Sequence, residues 1–218
     1  MSFIDAYNFW ANNEYFDAQT HQELLSIKND EKEIEDRFYK DLEFGTGGMR
    51  GVIGAGTNRI NKYTIRKAAQ GLANYIKKQG LSNKGIAIAY DSRRCSEQFA
   101  QETALVMASN RIKAYLFDGL RPTPELSFAV RYLDCAGGVV ITASHNPKEY
   151  NGFKVYRSDG CQLPPKEADA VILEVNAVTD ITSIVPMSYE EAINKGLLVI
   201  IGKEIDDAYT KEIKKAQR

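Results

Sequence analysis

The sequence holds little of what usually marks an enzyme class. Only two histidines, His21 and His145, occur in 218 residues. His145 is adjacent to Ser144, which argues against a hydrolase triad built on that serine. No Gly-x-Ser-x-Gly elbow and no Ser-x-x-Lys pair is present. Cys95, Cys135 and Cys161 lie far apart without a Cys-x-x-Cys pair, so they read as reduced thiols of a cytoplasmic protein. Charge of one sign is also missing. The net charge is -1 and the pI about 6.2, without the basic footprint of a nucleic-acid binder. The apolar run Leu197–Ile201 is too short to span a bilayer, and Met1–Asp5 lacks the basic flank and apolar core of a secretory signal. No internal repeat or low-complexity segment occurs. With 44% apolar and 26% charged residues, the composition is that of an ordinary globular chain, and disorder is not expected.

What is present is concentrated in residues 139–156, Val-Val-Ile-Thr-Ala-Ser-His-Asn-Pro-Lys-Glu-Tyr-Asn-Gly-Phe-Lys-Val-Tyr. The β-branched run Val139–Ile141 predicts a buried strand. Pro147 has no N–H to give a ladder, so the strand stops before it. Asn151-Gly152 predicts a tight turn, and Phe153–Tyr156 leaves it with period two. Ser144, His145 and Asn146 are thereby placed at a strand tip, and Lys154 is placed to return to the same mouth. A hydroxyl, an imidazole, an amide and an ammonium in one short loop suit phosphoryl chemistry. A second signal precedes it. Phe44-Gly-Thr-Gly-Gly-Met-Arg-Gly51 predicts a loop whose backbone N–H groups approach an anion closely. It is neither a dinucleotide nor a Walker loop, because Arg50 occupies the last glycine position and no Gly-Lys-Ser/Thr follows.

Thr142-Ala-Ser-His-Asn-Pro147 with Asn151-Gly-Phe-Lys154 resembles the phosphoserine loop of the α-D-phosphohexomutase superfamily. Gly45-Thr-Gly-Gly-Met-Arg-Gly51 is similar to the segment of its phosphoglucomutase and phosphopentomutase branch whose arginine lies beside the phosphoserine. The resemblance implies an α/β fold, the three-layer α/β/α first domain with a small mixed β-sheet. It implies Ser144 as phosphoryl carrier, with Lys154 and His145 as catalytic partners. Arg50, Thr46 and Asn146 are implied as phosphate-binding residues. It also aligns Asp91-Ser-Arg93 and Pro122-Thr-Pro124 with segments that shape the active edge, in a structural rather than chemical role.

The rest of the chain agrees with layered α/β architecture. Residues 1–43 read as a helical segment packed on the body through Trp10, with Asp30 and Glu33 in a capping pattern and a solvated, charged face beyond. His21, without clustered partners, reads as a surface or satisfied histidine. Ile65, Ala68, Ala69, Leu72 and Ile76 recur at helical spacing up to Gly80. Gly85–Asp91 and Ala114–Phe117 read as strands. Ser96 and Thr123 are candidate N-caps for the helices after them. Pro164-Pro165 opens a further helix, and Ser188 to Glu191 forms a capping box before the strand 197–201. The body is thus 44–202. Residues 203–218 read as a linker helix with the apolar stripe Ile205, Ala208, Tyr209, Ile213 and Ala216, of which Ile205, Tyr209 and Ile213 are expected to be exposed for a following domain.

Full members of the superfamily carry four domains. The second holds magnesium with an Asp-x-Asp-x-Asp-Arg loop, the third reads the sugar and the fourth grips the distal phosphate. No Asp-x-Asp-x-Asp occurs here, so these residues resemble the first domain of a longer protein, the other three domains being its partners. The implied reaction moves a phosphoryl group between the 1- and 6-positions of a hexose, or the 1- and 5-positions of a pentose. Sugar phosphates are its substrates and a sugar bisphosphate is its primer. Mg2+ would meet this chain only through the phosphoryl oxygen on Ser144, and catalysis is not expected of these residues alone. The alternative is a non-catalytic sugar-phosphate-binding module of the same fold. Neither reading calls for nucleic acid or membrane.

Overall fold

The computed structural model describes residues 2–216. Three helices come first: α1 (Phe3–Asn12), α2 (Ala18–Ser26) and α3 (Glu31–Phe38). A hairpin of β1 (Phe44–Gly45) and β2 (Gly48–Val52) follows. Then come α4 (Lys62–Lys78), β3 (Ile86–Tyr90), α5 (Ser96–Ser109), β4 (Ala114–Phe117) and α6 (Thr123–Tyr132). The remainder is β5 (Gly137–Ile141), β6 (Tyr150–Arg157), α7 (Pro165–Asn176), α8 (Tyr189–Asn194), β7 (Leu198–Ile201) and α9 (Lys203–Ala216). No described helix is long and apolar enough to cross a membrane.

The seven strands make one sheet in the order β1-β2-β6-β5-β3-β4-β7. β5, β3, β4 and β7 run parallel, and β6, β2 and β1 extend the sheet by antiparallel pairing. Helices cover both faces, which is why β3 and β5 are apolar throughout rather than alternating. Ile86, Ile88, Val139, Ile141, Phe153 and Val155 face α4, α5 and α7. Ala87, Ala89 and Val140 face α6 and Ile205 of α9. The expected α/β layering with a mixed sheet is therefore what forms. α4 shows why each element settles where it does. The Asn61 side chain accepts from the Tyr63 and Thr64 N–H groups, Ile65 to Ile76 buries one stripe, and Gly80 (φ +69°) releases the chain.

Trp10 does anchor the N-terminal segment. It stacks on Phe16 at 4.2 Å and meets the edge of Tyr63, an α4 residue, at 5.5 Å. The charged helix α3 is less solvated than its composition predicts, because Arg37 turns inward onto Glu23, Glu33 and the Ala55 carbonyl. His21 is satisfied, its Nε2 lying 3.1 Å from the Asn13 carbonyl oxygen.

Five local expectations change. Asn151-Gly152 is not a turn but lies inside β6. Gly152 is there because a Cβ would sit 2.6 Å from the Thr142 oxygen and 2.8 Å from that of Met49. The glycine-rich segment is not an open loop. It folds as the β1–β2 hairpin, with Gly48 (φ +114°) pressed against the backbone of Phe153 and Lys154. Ser96 does not cap α5. It is buried inside the helix start, and Cys95 (φ +64°) precedes it without a side-chain cap. Pro122, not Thr123, stands at the start of α6, also without a side-chain cap. Finally, α9 is not a free stripe. Ile205 is 1% exposed and Tyr209 packs on Phe128 at 5.5 Å, leaving Ile213 as the large exposed apolar residue. The helix finds its apolar partner on α6 of the same body. The Ala216 side chain and residues 217–218 lie outside the described residues.

Candidate active site

The parallel strands end along one edge, and the chain between β5 and β6 crosses it. Thr142, buried, is the first residue past β5, and its Oγ1 accepts from the Ser144 N–H at 3.0 Å. The Asn146 N–H donates to the Ala143 oxygen at 3.1 Å. Ser144 between them takes φ +58°, a left-handed conformation that a serine rarely adopts, and its side chain is exposed. The kink presents an exposed hydroxyl to solvent at the end of a buried strand.

Arg93 holds that kink. Its Nη2 donates to the carbonyls of Ser144 and Asn146, each at 2.8 Å, and its Nη1 to those of Pro147 at 2.9 Å and Tyr150 at 3.1 Å. One guanidinium thus ties the whole loop to the end of β3. Asp91 steadies the same junction, accepting from the Arg93 N–H at 3.0 Å and the Ser96 hydroxyl at 2.8 Å. Fully buried Asn151 completes it, donating to Ser96 Oγ and the Arg94 carbonyl at 2.9 Å each. Asp91-Ser-Arg93 is therefore structural, as expected, but its target is the serine loop itself.

The hairpin brings Arg50 to this edge. Arg50 is in register with Gly152 of β6, so it shares a sheet face with Lys154 two residues on. Arg50 Nη1 donates to Asn146 Oδ1 at 3.2 Å. Lys154 pairs with Val140 of β5. Its pKa is lowered by burial first and by the nearby Arg50 charge second, with Asp91 opposing. Among the described residues neither cation has a carboxylate within ion-pair distance. Positive charge left unpaired beside a hydroxyl favours an anionic group there.

The structure thus brings Ser144, Asn146, Arg50 and Lys154 to one edge. His145 is exposed, with Nδ1 at 3.5 Å from Ser144 Oγ, too long to count as a firm hydrogen bond. Thr46 sits exposed in the hairpin turn, apart from these contacts. Sequence reasoning missed Thr142, Asn58 and Lys40. Thr142 is recoverable from its spacing, since Thr-x-Ser at a strand end is a local side-chain-to-backbone turn. Lys40 and Asn58 carry no such local mark. They line, with Arg50 and Lys154, a cleft of about 400 Å³ over the hairpin.

Among the described residues no group of three or more His, Cys, Asp or Glu side chains could hold a metal ion. The acid nearest the serine loop's support, Asp91, is already engaged by Arg93 and Ser96. These residues do not by themselves fit a metal centre.

The family described as phosphoglucomutase/phosphomannomutase, alpha/beta/alpha domain I, matches residues 41–181. A curated phosphoglucomutase of Staphylococcus aureus (strain bovine RF122 / ET3-1) is 46% identical over 182 residues, covering 83% of this chain and 32% of the relative. That of Staphylococcus saprophyticus subsp. saprophyticus is 39% identical over 184 residues, covering 84% and 33%. The chain therefore spans about a third of the length of these relatives. Among solved structures, a protein of Thermus thermophilus provisionally designated a phosphomannomutase superposes with a TM-score of 0.67 at 28% identity. It covers 81% of this chain and 36% of that one. A phosphoglucomutase (pp63/parafusin) from Paramecium shares the fold, with a TM-score of 0.53 at 23% identity over 73% of this chain and 29% of that one.

Proposed function

This chain belongs to the phosphoglucomutase/phosphomannomutase family as its α/β/α domain I, and from that premise we propose that Ser144 carries the phosphoryl group of a sugar phosphomutase. The observation that supports the reading is the convergence of two cations without a carboxylate partner among the described residues, Arg50 and Lys154, on the sheet edge where Ser144 is kinked out of a buried strand. In the forward half-reaction the P–O bond to Ser144 Oγ breaks as a bond from a sugar hydroxyl oxygen to phosphorus forms. The hydroxyl proton passes to Lys154 Nζ and ends on the Ser144 oxygen, so the neutral amine is restored. Burial and Arg50 both favour that neutral form. A covalent carrier divides one hard displacement into two. Arg50 binds the phosphoryl oxygens with its fork of donors. Asn146 fixes Arg50 and, with Thr46, is assigned to phosphate contact, and His145 is assigned to the catalytic set as a hydrogen-bond donor that positions the loop. The bound bisphosphate then turns and returns its other phosphate to Ser144.

The family suggests a metal cofactor, and we take it as Mg2+. Its ligands other than the Ser144 phosphoryl oxygen would come from beyond these residues, as would the parts that read the sugar. The working protein includes the other domains of the longer chain, in the cytoplasm, with glucose, mannose or pentose phosphates as candidate substrates. The test is peptide mass spectrometry after incubation with glucose 1,6-bisphosphate and Mg2+. Phosphate on Ser144, absent from Ser144→Ala, is expected. A stable adduct on another residue, or none on the full-length protein, overturns the assignment.

A further inference from the structure

The cleft over the hairpin holds one more cation than the reaction above uses. Lys40, in the segment between α3 and β1, lines it together with Arg50, Asn58 and Lys154, and Glu43 is the one carboxylate of that lining. Lys40 Nζ donates to Glu43 Oε1 at 2.8 Å and stands 5.5 Å from the Tyr39 ring centroid. Both ends of this pair face water, the side chains being 41% and 78% exposed. An ion pair so exposed holds its partners weakly and exchanges readily for a stronger anion. A phosphate dianion is a stronger anion, with more acceptor oxygens than a carboxylate, and the two other cations already favour it in the cleft. The volume of about 400 Å³ leaves room for a sugar phosphate rather than a lone ion.

We propose that Lys40 is a substrate-phosphate contact, held off by Glu43 in the empty cleft and released to the anion when a sugar phosphate or bisphosphate enters. This rests on the phosphomutase reading and adds to it a residue that acts on binding rather than on phosphoryl transfer. Glu43 acts as the competitor. The pair therefore makes opposite predictions at two neighbouring positions, which a merely structural ion pair does not.

The test is a calorimetric titration of the full-length protein with glucose 1,6-bisphosphate and Mg2+, and separately with inorganic phosphate. Lys40→Gln is expected to weaken bisphosphate binding about threefold to tenfold, and Glu43→Gln to tighten it by about twofold to threefold. Because both side chains are exposed, neither change should move the melting temperature, which checks folding. Lys40→Arg should restore most of the affinity. Equal effects of both substitutions, no effect of either, or no detectable bisphosphate binding by the unmodified chain would overturn the role of Lys40. Phosphorylation of Ser144, read in the same samples by mass spectrometry, reports separately on the phosphomutase reading. A phosphorylated Ser144 with unchanged affinities sinks only Lys40.

Discussion

Two charge clusters lie on the same edge of the sheet and are settled in opposite ways. Beside the end of β5, Arg50 of β2 and Lys154 of β6 have no carboxylate within ion-pair distance among the described residues and open onto a cleft. After β4, one cation is surrounded. Arg121 donates to both oxygens of Asp206, at 2.6 and 2.8 Å, and to Asp118 at 3.0 Å, with Glu125 at 3.9 Å. Glu125 is buried and its Oε1 has no hydrogen-bond partner. Burial, and then the adjoining Asp206, push its pKa up to about 7 despite Arg121. The first cluster leaves charge for a ligand to neutralise. The second sets one guanidinium against three carboxylates, with burial and Asp206 favouring the protonated form of Glu125, and joins α6 to α9. An excess of charge leaves room for a ligand where it is open, and makes a seam of the fold where it is closed.

The largest expected effect lies in the open cluster. In the full-length protein Lys154→Gln should lower phosphoryl transfer by about 10²- to 10⁴-fold, the usual worth of a general base. The wild-type rate should rise with pH as the amine loses its proton, at lower pH than an ordinary lysine requires, because its pKa is depressed. The substitution should erase that limb of the profile. A retained limb would place the base elsewhere.

Arg93→Ala comes next. It strips four loop carbonyls of a guanidinium whose side chain is only 15% exposed. A loss of about 2–4 kcal/mol in chemical denaturation is expected, since bonds to a charged donor are strong but not additive. Phosphorylation of Ser144 should fall with it. Unchanged stability would mean that the loop holds its own shape.

The closed cluster predicts a pH effect of smaller size. Glu125 has a folded pKa raised above its unfolded value, so its contribution to stability is fully present below about 4.5 and is lost as pH rises to about 7. Asp206, whose pKa is lowered chiefly by Arg121, acts only in the more acidic range below 3.8. Glu125→Gln should therefore gain about 1–2 kcal/mol over wild type at pH 8, after discounting for screening and for sharing with Asp206, and converge with it near pH 5. Parallel stability curves across that range would remove the shared proton.

The same contrast explains what was legible in the sequence. Ser144, Arg50 and Lys154 sit in short contiguous motifs, and the apolar runs of β3 and β5 name themselves, because period and composition are local properties. The Arg121–Asp206 pair and the reach of Arg93 to four carbonyls join separate stretches and leave no local mark. Asn151-Gly152 misled for a related reason. Glycine reports only that a Cβ is unwelcome, and a tight turn and a close backbone approach both satisfy that condition. Ile205 misled as well: a stripe shows that a helix has an apolar partner, not whether the partner is α6 or another domain.

The smallest effect tests whether the open cluster stores strain in its serine. Ser144 holds φ +58°, a region that disfavours residues with a Cβ by about 1 kcal/mol. Glycine removes that penalty but adds about 0.5–1 kcal/mol of unfolded-chain entropy. Ser144→Gly should accordingly leave stability unchanged or raise it by at most about 0.5 kcal/mol. Ser144→Ala, keeping the Cβ, should fall at or slightly below wild type. Arg111, exposed and remote from the loop, shares the conformation at φ +60°, so Arg111→Gly gives the background for the same exchange. Calorimetry of the three variants decides the matter. Matching values at positions 111 and 144 mean that the kink is held by Arg93 and Thr142 whatever side chain occupies it. A loss greater than about 1 kcal/mol for Ser144→Gly alone would show that the hydroxyl itself secures the loop, and that this edge is closed in the same sense as the Arg121 seam.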